Sequence, residues 1–157
     1  MINKILGLLQ GNRPEENSSH FSKVQLATCA LLLEVAHSDG AYQAVEARIV
    51  NDLLSKKFDL SPAAVAQLID HAQDHRSETH DLFQFAREIN AHFGREEKLD
   101  ILEGVWQIIY ADGTLDKFED ALARQLATLL RLDHKDAIAR KLKVLDDVKK
   151  QGRGDEG

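Results

Sequence analysis

"VQLATCALLLEVA", residues 24–36, decides the architecture. Its apolar side chains run nearly all round a helix instead of along one stripe, and such a helix belongs at the centre of a bundle with other helices on every side. From about Phe21 the chain forms this helix, which Gly40 should end. A second helix is expected from about Tyr42 to Lys57, with Val45, Ile49, Val50, Leu53 and Leu54 on one face. Ser61-Pro62 then supplies an N-cap and a first-turn proline for a third, "AAVAQLIDHAQDH". Ser77 or Thr79 opens a fourth, carrying Leu82, Phe83, Phe85, Ala86 and Ile89, and Gly94 separates it from a fifth, "REEKLDILEGVWQIIYA". Leu99, Leu102, Val105, Trp106 and Ile109 give the fifth its apolar face. A sixth spans about Asp116 to Arg131, and Asp133 caps a seventh that runs to about Lys149. The fold class is all-α, a bundle of about seven helices occupying residues 21–149.

Composition agrees. The chain has 157 residues, 43% apolar and 29% charged, with two prolines, Pro14 and Pro62; a length of this order supports one core without disulfides or a structural metal. Cys29, the sole cysteine, lies inside the apolar helix and reads as a small buried side chain. Neither a secretory leader nor an apolar stretch of about 18 residues is visible, so a cytoplasmic location is the expectation. Acidic residues number 26 against 20 basic, a net charge of −6, and no basic stripe is interleaved with aromatics. Nucleic acid is a poor partner for such a surface, whereas cations fit it.

The two ends of the chain are set apart. Ile2, Ile5, Leu6 and Leu9 fall on one side of a short amphipathic N-terminal helix, and "GNRPEENSSH" then breaks every periodicity, making residues 1–20 a tethered segment. It is suited to docking on the core, on a protein partner, or peripherally on a membrane through residues 1–10. Residues 150–157 are expected to be a disordered tail.

An internal repeat organises the rest. A shift of 73 positions superposes Leu26 on Leu99, Asp39 on Asp112, Gly40 on Gly113, Glu46 on Glu119 and Leu53 on Leu126, and a one-residue slip near Lys56 then sets Ser61 opposite Asp133. The halves should pack about a pseudo-twofold axis. Both keep an Asp-Gly turn and a Glu seven residues after the Asp. Glycine suits the left-handed end of a helix, but an aspartate there opposes the helix dipole, at a cost of about 0.3–1 kcal/mol.

Two readings of these turns compete. In the structural one, each Asp bonds back to its own turn and each Glu serves the next helix start; Asp116 and Glu119 form a capping box, but Gln43 stands where the first half needs its cap. In the other, Asp39, Gly40, Tyr42 and Glu46, like Asp112, Gly113, Leu115 and Glu119, occupy positions 5, 6, 8 and 12 of a calcium loop. Val35 and His37, or Ile108 and Tyr110, stand where the front of that loop needs oxygen ligands, so a complete loop is excluded. A divalent cation, calcium first, would need the two turns to cooperate or water to complete its shell.

"IIYADGTLDKFE" and "EVAHSDGAYQAVE", with an apolar helix before each and a "DLSPAAV"-like helix start after, resemble the TerB family, the tellurite-resistance-associated helical domain of bacteria. The resemblance covers roughly residues 21–145, with Ser38 in place of the usual Ala. It implies a seven-helix bundle whose paired acidic residues, here Asp39, Glu46, Asp112 and Glu119, gather into a negatively charged metal site. It also implies a stress-response setting beside a protein partner, membrane-associated in some systems or co-chaperone-like in others, with no catalytic activity. The amphipathic N-terminus and the lack of a J-domain depart from that pattern.

Other constellations carry less. His71 and His75 have a spacing that grips zinc or copper, but Ala72 stands where a metalloprotease has its Glu, and a third ligand is needed; Asp74, Glu78 and His80 lie nearby. His37 is expected to line its turn, Glu34 to sit at the rim of the core, and Trp106 to pack inside. The cations of "RKLKVLDDVKK" are expected to form the solvated face of the last helix. No nucleophile, phosphate-cradling loop or Ser-His-Asp set is present, and the chain is expected not to be an enzyme.

Overall fold

The computed structural model describes residues 21–37, 44–78, 81–111 and 117–156. Seven helices account for nearly all of them, and no strand occurs among the described residues: α1 Lys23–Ala36, α2 Ala44–Phe58, α3 Pro62–Glu78, α4 Leu82–His92, α5 Arg95–Ile109, α6 Lys117–Leu129 and α7 His134–Glu156. The expected all-α bundle is what the chain forms. The N-terminal amphipathic helix expected within residues 1–20 lies outside the described residues.

Local chemistry explains most boundaries. Ser22 and Gln25 start α1 with a reciprocal capping box, Ser22 Oγ accepting from Gln25 N at 3.2 Å and Gln25 Oε1 from Ser22 N at 2.9 Å. Ser61 Oγ accepts from Ala64 N at 3.2 Å ahead of Pro62, as the sequence leads one to expect. α4 is different: α3 continues through Ser77 to Glu78, and the cap is Asp81, whose side chain accepts from Phe83 N at 2.9 Å. Nothing in "DHRSE" interrupts an established helix, so the earlier candidate caps yield to Asp81. α1 ends at Ala36, ahead of Gly40, because His37 closes it: its backbone N–H donates to Leu33 O at 2.9 Å and its Nδ1 lies 2.8 Å from the same oxygen. At the other end of the chain, α7 passes Lys149 and runs to Glu156, where a disordered tail was expected. No proline stops it, and each glycine in a helix costs only about 1 kcal/mol.

The repeat is visible in the backbone. The C-caps of α1 and α5, His37 (φ −96°, ψ 4°) and Tyr110 (φ −92°, ψ 6°), are conformational twins at the 73-residue spacing. Beyond the slip, the two non-glycine residues of positive φ among the described residues, Asp59 (53°) and Arg131 (57°), are also counterparts. Each stands just past a helix, with the next N–H reaching back five residues, Leu60 N to Ser55 O at 3.1 Å and Leu132 N to Ala127 O at 3.0 Å.

α1 packs against α2, α3, α4 and α5, which is why its apolar residues surround it. Cys29, Ala30, Leu31, Leu33, Val35 and Ala36 are wholly buried, while Glu34 is only half-buried, at the rim as expected. α5 is the second hub, against α1, α2, α6 and α7, with Leu102, Val105 and Trp106 in the core. The pseudo-twofold is imperfect: α2 packs on α5, but α4, which has no counterpart in the repeat, packs on both α1 and α6.

Candidate functional site at the acidic turns

Each Asp-Gly segment falls in sequence between a hub helix and the next helix, so its chain neighbours are the ends of α1 and α5 and the starts of α2 and α6. Of the four expected carboxylates, Glu46 is the one whose side chain the structure describes. It lies in the first turn of α2 and is 5% exposed. A carboxylate there faces the positive end of the helix dipole, worth about 0.3–1 kcal/mol and more when partly buried. Asp39 and Asp112 lie outside the described residues; Glu119 occupies the first turn of α6 by its backbone, and its side chain lies outside them too.

Among the described residues no group of three or more His, Cys, Asp or Glu side chains comes together as a metal site. The described donors alone fall short of the six to eight oxygens a calcium ion takes. His71, half-buried, packs its ring on Phe21 (centroids 5.8 Å, 59°); the side chain of His75 is outside the described residues.

Around the second turn the structure adds polar groups that sequence reasoning did not single out. Asp120, 8% exposed, accepts from Arg124 Nη2 at 2.6 Å and Nε at 3.0 Å, and from Lys141 Nζ at 3.0 Å. Hydrogen bonding to Arg124, then to Lys141, outweighs burial and holds the Asp120 carboxyl below the usual aspartate range. Lys141 Nζ also stands 5.0 Å from the centre of the Trp106 ring, which stacks on Tyr110 (5.9 Å, 19°). Trp106 Nε1 and the Tyr110 hydroxyl are buried without a hydrogen-bond partner among the described residues. The spacing of Asp120 and Arg124 was legible as a helical i, i+4 pair.

The expected solvated face of α7 holds for Lys143, Lys149 and Lys150, which are exposed, and is corrected for Arg140 and Lys141. Arg140 donates to Asp100 Oδ1 at 2.9 Å, Glu96 Oε2 at 3.0 Å and Glu103 Oε1 at 3.1 Å, and Lys143 Nζ adds a second cation to Glu103 at 3.3 Å. With Lys141 on Asp120, three of these cations fasten α7 to α5 and α6. Leu142, between them in sequence, is 58% exposed. α5 carries an acidic row at 96, 100 and 103, and satisfying it turns Arg140 inward.

An all-helical domain made of two repeats, each with an apolar hub helix followed by an acid-bearing turn, defines the class of protein. The chain belongs to the TerB family, whose model, described as tellurite resistance protein TerB, matches residues 25–142. A crystal structure of a protein of unknown function from Porphyromonas gingivalis is similar in fold, with a TM-score of 0.56 and 20% sequence identity, covering 78% of this chain and 97% of that one. No curated protein matches the sequence significantly. No helix among the described residues is long and apolar enough to cross a membrane.

Proposed function

We propose that the chain is a non-catalytic TerB-family module that binds a divalent cation, calcium by its donor chemistry, through Asp39, Glu46, Asp112 and Glu119. The observation that carries this reading is Glu46, a hard oxygen donor 5% exposed in the first turn of α2, seven residues after the turn aspartate. Its burial shelters a carboxylate from bulk water beside the turn, and the same Asp-to-Glu spacing recurs at 112 and 119. The remaining ligands would be the other three carboxylates, turn carbonyls and water. The setting proposed is a bacterial stress system of the tellurite-resistance type, in the cytoplasm, beside a partner protein that is membrane-associated in some assemblies.

Calorimetric titration of the full chain with calcium, magnesium, manganese and zinc tests it. Micromolar calcium binding is expected, lost in Asp112→Asn and weakened in Glu46→Gln. At a hundredfold excess over Kd the ion should stabilise the fold by about 2.7 kcal/mol. Silence with all four ions ends the reading.

A further inference from the structure

A groove of about 380 Å³ runs between α4 and the C-terminal end of α6, lined by Phe83, Arg87, Asn90, Leu129 and Arg131 among others. Its floor is fixed. Asn90 Nδ2 donates to Leu129 O at 2.9 Å, covering a carbonyl at the end of α6, and Asn90 Oδ1 accepts from Lys98 Nζ at 3.2 Å. Phe83 stands at the side, 59% exposed. Arg87 and Arg131, both exposed, make no ion pair among the described residues, in a chain whose Arg95, Arg124, Arg140, Lys141 and Lys143 are all paired to carboxylates. Arg131 moreover holds a left-handed backbone (φ 57°), where glycine is the usual occupant; its repeat counterpart is Asp59, of a residue type that tolerates this conformation better.

We propose that this groove is a docking site for a short acidic segment of a partner protein, with an apolar residue laid against Phe83 and carboxylates on Arg87 and Arg131. Arginine forks match carboxylates bidentately, and an aromatic anchor flanked by arginines is the composition that carries binding energy at interfaces. Charge selects among occupants. Of the chain's own tether, residues 1–10 carry Lys4 and no acidic residue, and residues 11–20, which hold Glu15 and Glu16 beside Arg13, carry no Leu, Phe or Trp to lay against Phe83, so neither stretch matches the groove. An anionic bilayer offers no slender chain to a concave site lined by Phe83, Arg87 and Arg131. The proposal stands independently of cation binding at the acidic turns.

Fluorescence anisotropy with the full-length protein tests it, using labelled ten-residue peptides that present one Leu, Phe or Trp at varied spacing from two Glu pairs, each with its Lys-for-Glu counterpart. Vesicles of phosphatidylserine and phosphatidylcholine are run in parallel. At least one Glu peptide should bind while its Lys counterpart does not, with affinity falling as salt rises. Affinity should drop about tenfold in both Arg87→Glu and Arg131→Gly, a factor large enough to represent a lost charged contact. Because Arg131→Gly also relieves the left-handed backbone, its unfolding temperature should rise, which separates lost binding from lost folding. Failure of every Glu peptide, binding unchanged in both variants, co-flotation with vesicles through the same arginines, or a protein dimer dispersed by the same substitutions would each overturn the proposal.

Discussion

Tyr110 and His37 hold the same place in the two halves, and they meet it with different chemistry. His37 folds its ring back onto the last turn of α1, with Nδ1 2.8 Å from Leu33 O. Tyr110, 7% exposed, sends its hydroxyl into the protein, where it has no hydrogen-bond partner. Burial raises its pKa; the Lys141 ammonium works against that rise and the Asp120 carboxylate with it, so the phenol stays neutral throughout the physiological range. A buried hydroxyl without a partner costs about 1–3 kcal/mol. Tyr110→Phe keeps the ring stacked on Trp106 and removes that cost, so urea denaturation should show the variant more stable by about 1 kcal/mol. A clear loss of stability would mean that in solution the hydroxyl is bonded after all. The sequence marked Tyr110 as the residue leading into the second turn, but an unmade bond is a property of surroundings that come from other helices.

The helices owe their starts to chemistry within three or four residues, and their contacts to side chains much farther away in sequence. Ser22 with Gln25 and Ser61 with Pro62 are local, and both are legible in the chain. Gly104 in α5 is not. A Cβ added there would lie 2.6 Å from Leu53 Cδ1 and 3.3 Å from Cδ2, so this glycine lets α2 and α5 approach closely. In the middle of a helix glycine costs about 1 kcal/mol relative to alanine, a disadvantage the close approach offsets. Gly104→Ala should be nearly neutral, as the end of Leu53 swings aside and helix propensity improves. Gly104→Val should destabilise by about 1–3 kcal/mol in chemical denaturation, since its branches also meet the Leu53 stem. A valine accommodated without loss would contradict the packing of α2 on α5.

At the scale of the molecule, ion pairs join elements that hydrophobic pattern alone would leave free to slide. Asp120 links α6 to α7 through Lys141, and Arg140 links α7 to the acidic row of α5. Since the folded carboxyl of Asp120 titrates below its unfolded value of about 3.9, the pair contributes stability that is fully present above that pH and disappears as acidity carries the folded group through its own pKa. Asp120→Asn should therefore cost about 1.5–3 kcal/mol at pH 7, the range for hydrogen bonds to charged groups. The difference between wild type and variant should shrink as pH falls below about 4. A difference independent of pH between 7 and 2 would show that the carboxylate's charge is not what holds α6 to α7.

By itself the sequence determined the all-helical class, the hub character of α1 and the duplicated halves, because helix periodicity, capping residues and a repeat are written in neighbouring positions. It misplaced the start of α4, where two earlier caps competed with Asp81, and it left Arg140 and Lys141 in solvent with the other cations of α7. Tertiary structure alone decided that Arg140 and Lys141 turn inward, that Glu46 is buried, and that Arg87 and Arg131 flank a groove. The physical reason is that a charged side chain's environment is set by the helix packed opposite it, and that partner lies 21 to 44 residues away in the ion pairs that join α7 to α5 and α6.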